Sequence, residues 1–380
     1  MPKTDSPAVS LGRIARDWTT LGVTGFGGPP THIALLRKLC VEKNQWIVRE
    51  EFEDAIATTN LLPGPASTQL AIYCAWRLRG IPGAVVGALG FILPGLILII
   101  ALSALFFSSA PPHWVLGIAA GAGAGVPAIA LYAAAQLAPT SWHRAKAQTG
   151  TKWRWITYVV VGVATSIAFP QFVVLAMLAC GLVEISTSGG AHAALPLAIG
   201  KVVALGSSGS IAWVALKVGA LSYGGGFVII PLMQHDVVST YHWMSNAQFL
   251  NAVALGQITP GPVVQTVSAV GYAARGLTGA LLAAAVAFTP SFFFVVGGGR
   301  HFQAIRVNAK VTAFLRGAGP CVIGAILGSA VTLASELGHW WQVPVAILVA
   351  AWVFSKRSTV IALLAAGGVG ALVALTHTAI

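Results

Sequence analysis

Residues 81–107, IPGAVVGALGFILPGLILIIALSALFF, contain no charged side chain. A helix needs about 20 apolar residues to cross a hydrocarbon core, so this run alone is long enough to span a bilayer. The rest of the chain agrees with it. Of 380 residues 56% are hydrophobic and 8% charged, with a mean hydropathy of +0.81, whereas a soluble domain carries about 25% charged residues. The chain reads as an all-α polytopic membrane protein, with the lipid bilayer as its first partner.

The opening stretch MPKTDSPAVSLGRIARDW has no apolar core of signal-peptide length, so no cleavable leader is expected. Cys40, Cys74, Cys180 and Cys321 are scattered without a C-x-x-C pair. No metal, disulfide or cofactor is therefore expected, and the cysteines read as small buried hydrophobes. The net charge of +12 is assigned mostly to cytoplasmic loops that set orientation, with some basic residues left to attract an anion. The basic residues form no soluble domain, so nucleic acid is not a partner.

Pro-Gly-Pro occurs twice, at 63–65 and 260–262, displaced by 197 positions. The same displacement pairs Gly27-Gly28 with Gly224-Gly225, Phe26 with Tyr223, Trp46 with Trp243, Phe52 with Phe249, Asp54 with Asn251 and Asn60 with Gln257. One position less pairs Arg79-Gly80 with Arg275-Gly276 and Pro94 with Pro290. The chain reads as a first repeat at 1–190, a linker or linking helix at 191–210, and a second repeat at 211–380. Tandem repeats of this kind build many secondary transporters. Each unit holds a glycine-rich break, a connector, the Pro-Gly-Pro segment, two long apolar helices (81–107 and 114–138; 277–298 and 312–334) and two shorter apolar runs. Those short runs leave the helix count open, and Lys201 leaves open whether 193–206 crosses the membrane.

Loop charges test the orientation of the two copies. Lys and Arg are absent at 108–113 and plentiful at 143–154, whereas the second unit has them at 299–310 and not at 335–341. Basic loops stay in the cytoplasm, so the swap predicts inverted-topology repeats with broken, re-entrant helices that enter and leave on one face. Arg275 is an exception, since it would then lie outside.

Proline and glycine would break helices inside the bilayer, where irregular backbone is tolerated only in protein or beside a wet cavity. Such breaks present helix N-termini, whose free N–H groups favour anions. Gly27, Gly28, Pro63, Gly64 and Pro65 in the first unit, with Gly224, Gly225, Gly226, Pro260, Gly261 and Pro262 in the second, are therefore expected to build a paired oxyanion site. Asn60, Ser67, Thr68, Gln69, Gln257, Gln265 and Thr266 would add neutral donors. The competing reading, ordinary turns or tight packing spots, is outweighed by four motifs kept in one register.

These segments resemble the CHR family of chromate ion transporters in its long form with two fused homologous domains. GFGGPPTHIALLR, NLLPGPASTQLAIY, RGIPGA and FILPG carry the resemblance in the first unit, and SYGGGFVIIPLM, GQITPGPVVQT and RGLTGALLAA in the second. The resemblance implies a bacterial or archaeal inner-membrane protein that exports chromate, confers resistance, draws on the proton motive force and is competed by sulfate. Asn60 stands where the family often has glutamine, which keeps the amide donor. AWRLRG departs from the family's glycine-tyrosine before the basic-Gly element, which puts the role of Arg77 in doubt.

His32 and Arg37 match family positions. Arg37 either holds the oxyanion or anchors a cytoplasmic end; His32 either relays protons or is a structural histidine. Asp54 is the carboxylate expected to couple protons, since it continues an apolar run; its neighbours Glu50, Glu51 and Glu53 read as a solvated face, and Glu184 receives no role. Unit one is expected to carry binding and coupling, with unit two completing the cavity. No Walker A, H-E-x-x-H or paired-cysteine motif appears, so direct ATP use has no support and an enzyme ranks last. The leading reading is a secondary exporter of chromate; a passive oxyanion channel or a carrier of another oxyanion such as sulfate is the alternative. Oligomeric state, coupling ion and stoichiometry stay open.

Overall fold

The structure, a computed structural model, describes residues 9–108, 110–146, 151–187, 207–222, 228–298 and 308–376. All regular elements among them are helical. Helix α1 (Leu11–Thr24) begins where Ser10 Oγ accepts the Arg13 N–H at 3.2 Å, and it stops at Gly25. Helix α2 (Pro29–Arg37) opens on two prolines, whose missing N–H groups would have had no partner in a first turn. It runs into a π-helical turn at Lys38–Lys43. Arg13 donates to Asn44 Oδ1 at 2.9 Å and lies over Trp46 at 5.2 Å. The start of α1 therefore meets the far end of α2, and Gly25–Gly28 form the tip of a hairpin.

A second hairpin follows. Helix α3 (Arg49–Thr59) leads to Pro63-Gly64-Pro65, and α4 (Ala66–Phe106) leads away. Arg77 grips Glu51 through both guanidinium and carboxylate, while the Tyr73 hydroxyl donates to Glu51 at 3.1 Å. These contacts join the outer ends of the two arms and leave Pro-Gly-Pro at the tip. Glu50 and Glu53 are exposed, as a solvated face requires, although Glu53 pairs with Arg37 at 2.8 Å; Glu51 is half-buried in its pair with Arg77.

Helix α4 then breaks again. Arg79 leaves helical geometry and Gly80 takes φ 62°, ψ −148°, a conformation open essentially to glycine. The two limbs fold back on each other, since a methyl on Gly83 would strike the Ala75 carbonyl. The second repeat reproduces this at Gly276 in α12 (Thr266–Gly298), with φ 58°, ψ −149°. Its preceding helices are α9 (Ser207–Leu221), α10 (Ile229–His235) and α11 (Asn246–Ile258). Residues 223–227 and most of 191–210 lie outside the described residues, so Gly224, Gly225, Gly226 and the linker expectation go with them.

The apolar run at 114–138 differs from the single helix its sequence suggests. It forms α5 (His113–Ala124) and α6 (Val126–Lys146), which meet at Gly125, whose N–H turns to the Ala122 carbonyl at 3.1 Å. Its counterpart α13 (Ala309–Ser335) is continuous and carries Cys321 where the repeat register places Gly125. The shorter runs are separate helices: α7 (Thr151–Ala168), α8 (Val173–Thr187), α14 (Gln342–Phe354) and α15 (Thr359–Leu375).

The repeats interlock. Helices α7 and α8 of the first pack on α13 of the second, while α14 and α15 of the second pack on α5 and α6 of the first. Small residues allow this: Gly117 and Gly121 of α5 meet Gly370 and Ala366 of α15 backbone to backbone, the close approach by which membrane helices associate. Near the start of α13, Arg316 lies 4.0 Å from Glu184, which Arg154 and Tyr158 also bond at 3.2 and 3.0 Å. Glu184 has no solvent exposure. Sequence patterns assign it no role; it is the buried hub of a polar cluster that ties the repeats together.

Five helical stretches among the described residues are long and apolar enough to cross a membrane: Ala66–Phe106, His113–Ala145, Pro170–Thr187, Val263–Gly298 and Ala309–Ser335. The chain is a multi-pass membrane protein.

Candidate substrate-binding site

Both tips of the first repeat converge on the second. The Gly261 N–H donates to the Gly25 carbonyl at 2.9 Å, so the first repeat's glycine break touches the second repeat's Pro-Gly-Pro. The long limbs cross over in the same way. A methyl on Gly95 of α4 would overlap the Pro260 carbonyl, and a methyl on Gly64 would lie 2.9 Å from Ser291 of α12. Each Pro-Gly-Pro is thus seated against the other repeat's long helix, and both central glycines, Gly64 at φ 110° and Gly261 at φ 93°, sit where a side chain would be strained.

Beside these contacts lies a cavity of about 320 Å³. Gly27, Gly28, Asn60 and Gln257, all expected from the sequence, line it, together with Tyr132 and Gln136 of α6. The two amide residues that precede the Pro-Gly-Pro motifs therefore face one space. Gln257 is only 8% exposed, and its Nε2 has no hydrogen-bond partner among the described residues. A buried donor without a partner costs roughly 1–3 kcal/mol, which a ligand acceptor would recover.

Helix starts also point there. Pro29 of α2, Ala66 of α4, Val263 of the single 3-10 turn before α12 and Thr359 of α15 all line the cavity. The N-caps of the first three, Gly28, Pro65 and Pro262, offer no capping side chain. Partial positive charge accumulates at such ends. No Lys, Arg, Asp, Glu or His lines the space among the described residues, so what it presents is neutral donors and helix termini.

Other expected residues stand elsewhere. Ser67 faces His32, with 3.2 Å between Oγ and Nδ1, and the His32 Nε2–H donates to the Gly25 carbonyl at 2.9 Å. That carbonyl can only accept, so the proton is assigned to Nε2. Gln69 donates to the Pro63 carbonyl at 2.6 Å and Gln265 to the Ile92 carbonyl at 2.7 Å. Thr266 Oγ1 donates to the Val263 carbonyl at 2.8 Å. Thr68 is fully buried, with no partner for its hydroxyl among the described residues. These side chains hold the tips in shape and do not line the cavity. Arg37 pairs with Glu53 outside the cavity, and Asp54 sits half-buried on α3.

Sequence reasoning missed Tyr132 and Gln136, because the repeat register leads to Gly328 and Thr332, which share neither side chain. A signal existed nonetheless. Tyr132, Gln136, Thr140 and Arg144 recur every fourth residue along a helix that is otherwise apolar up to Pro139, a spacing that puts them on one face. A second cavity, of about 360 Å³ between α8, α9 and α13, is walled by Met177, Phe314 and similar apolar side chains with Lys310 at its edge. It offers an oxyanion few donors.

Interlocked helical repeats that meet at broken tips around a small cavity with a few neutral donors are the architecture of a membrane transport protein. The chain belongs to the chromate transporter family, whose pattern matches twice, at 12–185 and 209–372. It is 32% identical over 350 residues to a protein named chromate transport protein from Cupriavidus metallidurans, covering 87% of this chain and 84% of that one. A probable chromate transport protein from Synechococcus elongatus is 28% identical over 92% of both chains. A chromate transport protein from Pseudomonas aeruginosa is 29% identical over 97% of this chain and 93% of its own length. No solved structure matches the chain.

Proposed function

We propose that the protein is a secondary active exporter of chromate across the cytoplasmic membrane, driven by the proton motive force and competed by sulfate. The observation that carries this reading is the cavity shared by Asn60 and Gln257 beside helix N-termini, where Gln257 Nε2 has no partner among the described residues. Neutral donors suit a substrate that must leave again, because a fixed counter-charge would hold a dianion too tightly for release.

The inverted arrangement is part of the proposal. Arg144 near the end of α6 shares a cavity with Leu315 near the start of α13, and Asn246 at the start of α11 donates to Glu336 beyond the end of α13 at 2.9 Å. The first contact favours repeats running in opposite senses, because it sets the end of α6 beside the start of its counterpart α13; the described tip hairpins would then be re-entrant. Alternating access would then rock one repeat against the other about the cavity.

The test is radiolabelled chromate uptake into everted vesicles. Uptake should follow an imposed pH gradient, collapse with an uncoupler and fall with excess sulfate. Flux that simply follows the chromate gradient would point to a channel instead.

A further inference from the structure

A third cavity, of about 210 Å³, lies between the end of α6 and the start of α13. Thr140, Ser141 and Arg144 line it on one side, and Leu315, Gly319, Val322 and Ile323 on the other. Asn60 and Leu137 line both this space and the central cavity. The two spaces are therefore adjacent, with the first repeat's amide residue standing between them.

One helix face runs through both. Tyr132 and Gln136, which are hydrogen-bonded to each other, face the central cavity, and one and two turns further on Thr140 and Arg144 face the outer one. Helix α6 is held in place there, because Trp155 Nε1 of α7 donates to Ser141 Oγ at 2.9 Å. Arg144 is half-buried, and the opposing wall is apolar. A cation against a low-dielectric wall attracts an anion more strongly than the same cation in water.

We infer that this outer cavity is the cytoplasmic vestibule of the transport path, with Arg144 as the residue that captures a dianionic oxyanion and passes it by Thr140 to Asn60. The inference rests on the oxyanion-transport reading above and adds a route and a residue to it. The division of labour is physical: the charged group recruits at the mouth, where release is not required, and the neutral amides bind at the centre. Arg144 belongs to the basic 143–154 stretch, which the charge rule puts on the cytoplasmic side.

The experiment uses everted vesicles holding the full chain. Arg144→Gln should raise the KM for chromate by about tenfold at low ionic strength, leave Vmax unchanged and abolish the rise of KM with added potassium chloride that the wild type should show. Arg144→Lys should restore most of the affinity. A KM and salt response equal to wild type in Arg144→Gln would overturn the inference. Thr140→Cys gives an independent reading, since the four native cysteines are buried. A negatively charged methanethiosulfonate should block its uptake in everted vesicles, with chromate protecting. Labelling without protection, no labelling, or access only from right-side-out vesicles would equally overturn it. Wild-type vesicles that accumulate no chromate would sink the transport reading itself, whereas active wild type with an indifferent Arg144→Gln would sink the vestibule alone.

Discussion

Gly261 donates its N–H to the Gly25 carbonyl at 2.9 Å, and His32 Nε2 donates to the same oxygen. One carbonyl thus joins a histidine of the first repeat to the Pro-Gly-Pro tip of the second. The second repeat has no equivalent: Ile229 stands in register with His32, and Val263-Val264 stand opposite Ala66-Ser67-Thr68. The polar pair of one repeat is an apolar pair in the other.

That asymmetry gives a double-mutant test. His32→Ile alone strands the Ser67 hydroxyl and should lower stability by about 1–3 kcal/mol, whereas His32→Ile with Ser67→Val should recover much of it, since replacing both partners is nearly neutral. Thermal unfolding in detergent measures both. Equal losses in the single and double variants would show that the pair contributes nothing as a pair.

Gln257→Leu removes the central-cavity donor that has no partner among the described residues. A hydrogen bond to a charged group is worth about 1.5–3 kcal/mol, so the KM for chromate should rise by roughly ten- to a hundredfold with folding unchanged. Asn60→Gln, which keeps the amide, should transport. Vesicle kinetics decide it, and normal affinity in Gln257→Leu would remove that side chain from the site.

Gly80→Ala and Gly276→Ala should each destabilise by about 1–3 kcal/mol, although no atom lies within 4 Å of a methyl at either position. Gly368→Ala, equally uncrowded and without a left-handed φ, serves as the control and should hold or raise the melting temperature, because alanine is the better helix former. A melting temperature that is also unchanged in Gly80→Ala would show that the reversal does not depend on its backbone angle.

Glu184→Gln leaves Arg154 and Arg316 without their buried carboxylate. Removing one partner of a buried ion pair costs roughly 3–5 kcal/mol, so the loss should appear as a large fall in thermal stability. A variant as stable as wild type would mean that the cluster does not tie α8 to α13.

Much of this protein was legible in its sequence because the constraints were local or repeated. Apolar runs such as 81–107 dictate spanning helices, since lipid offers the backbone no partner. A proline or glycine cluster breaks a helix wherever it stands, so the tips were visible, and the repeat register brought Asn60 and Gln257 forward together; the left-handed reversals at Gly80 and Gly276 were not. Tertiary structure alone decided which side chains face the cavity and which brace the tips. Ser67, Gln69 and Gln265 resemble ligand donors in one dimension but are occupied by His32 and by carbonyls that only folding brings near. Arg37 and Glu51 found partners one element away, and Glu184 found its second arginine in the other repeat. Periodicity and composition record what each segment is; which segments meet depends on packing between residues more than a hundred positions apart, and no local pattern encodes that.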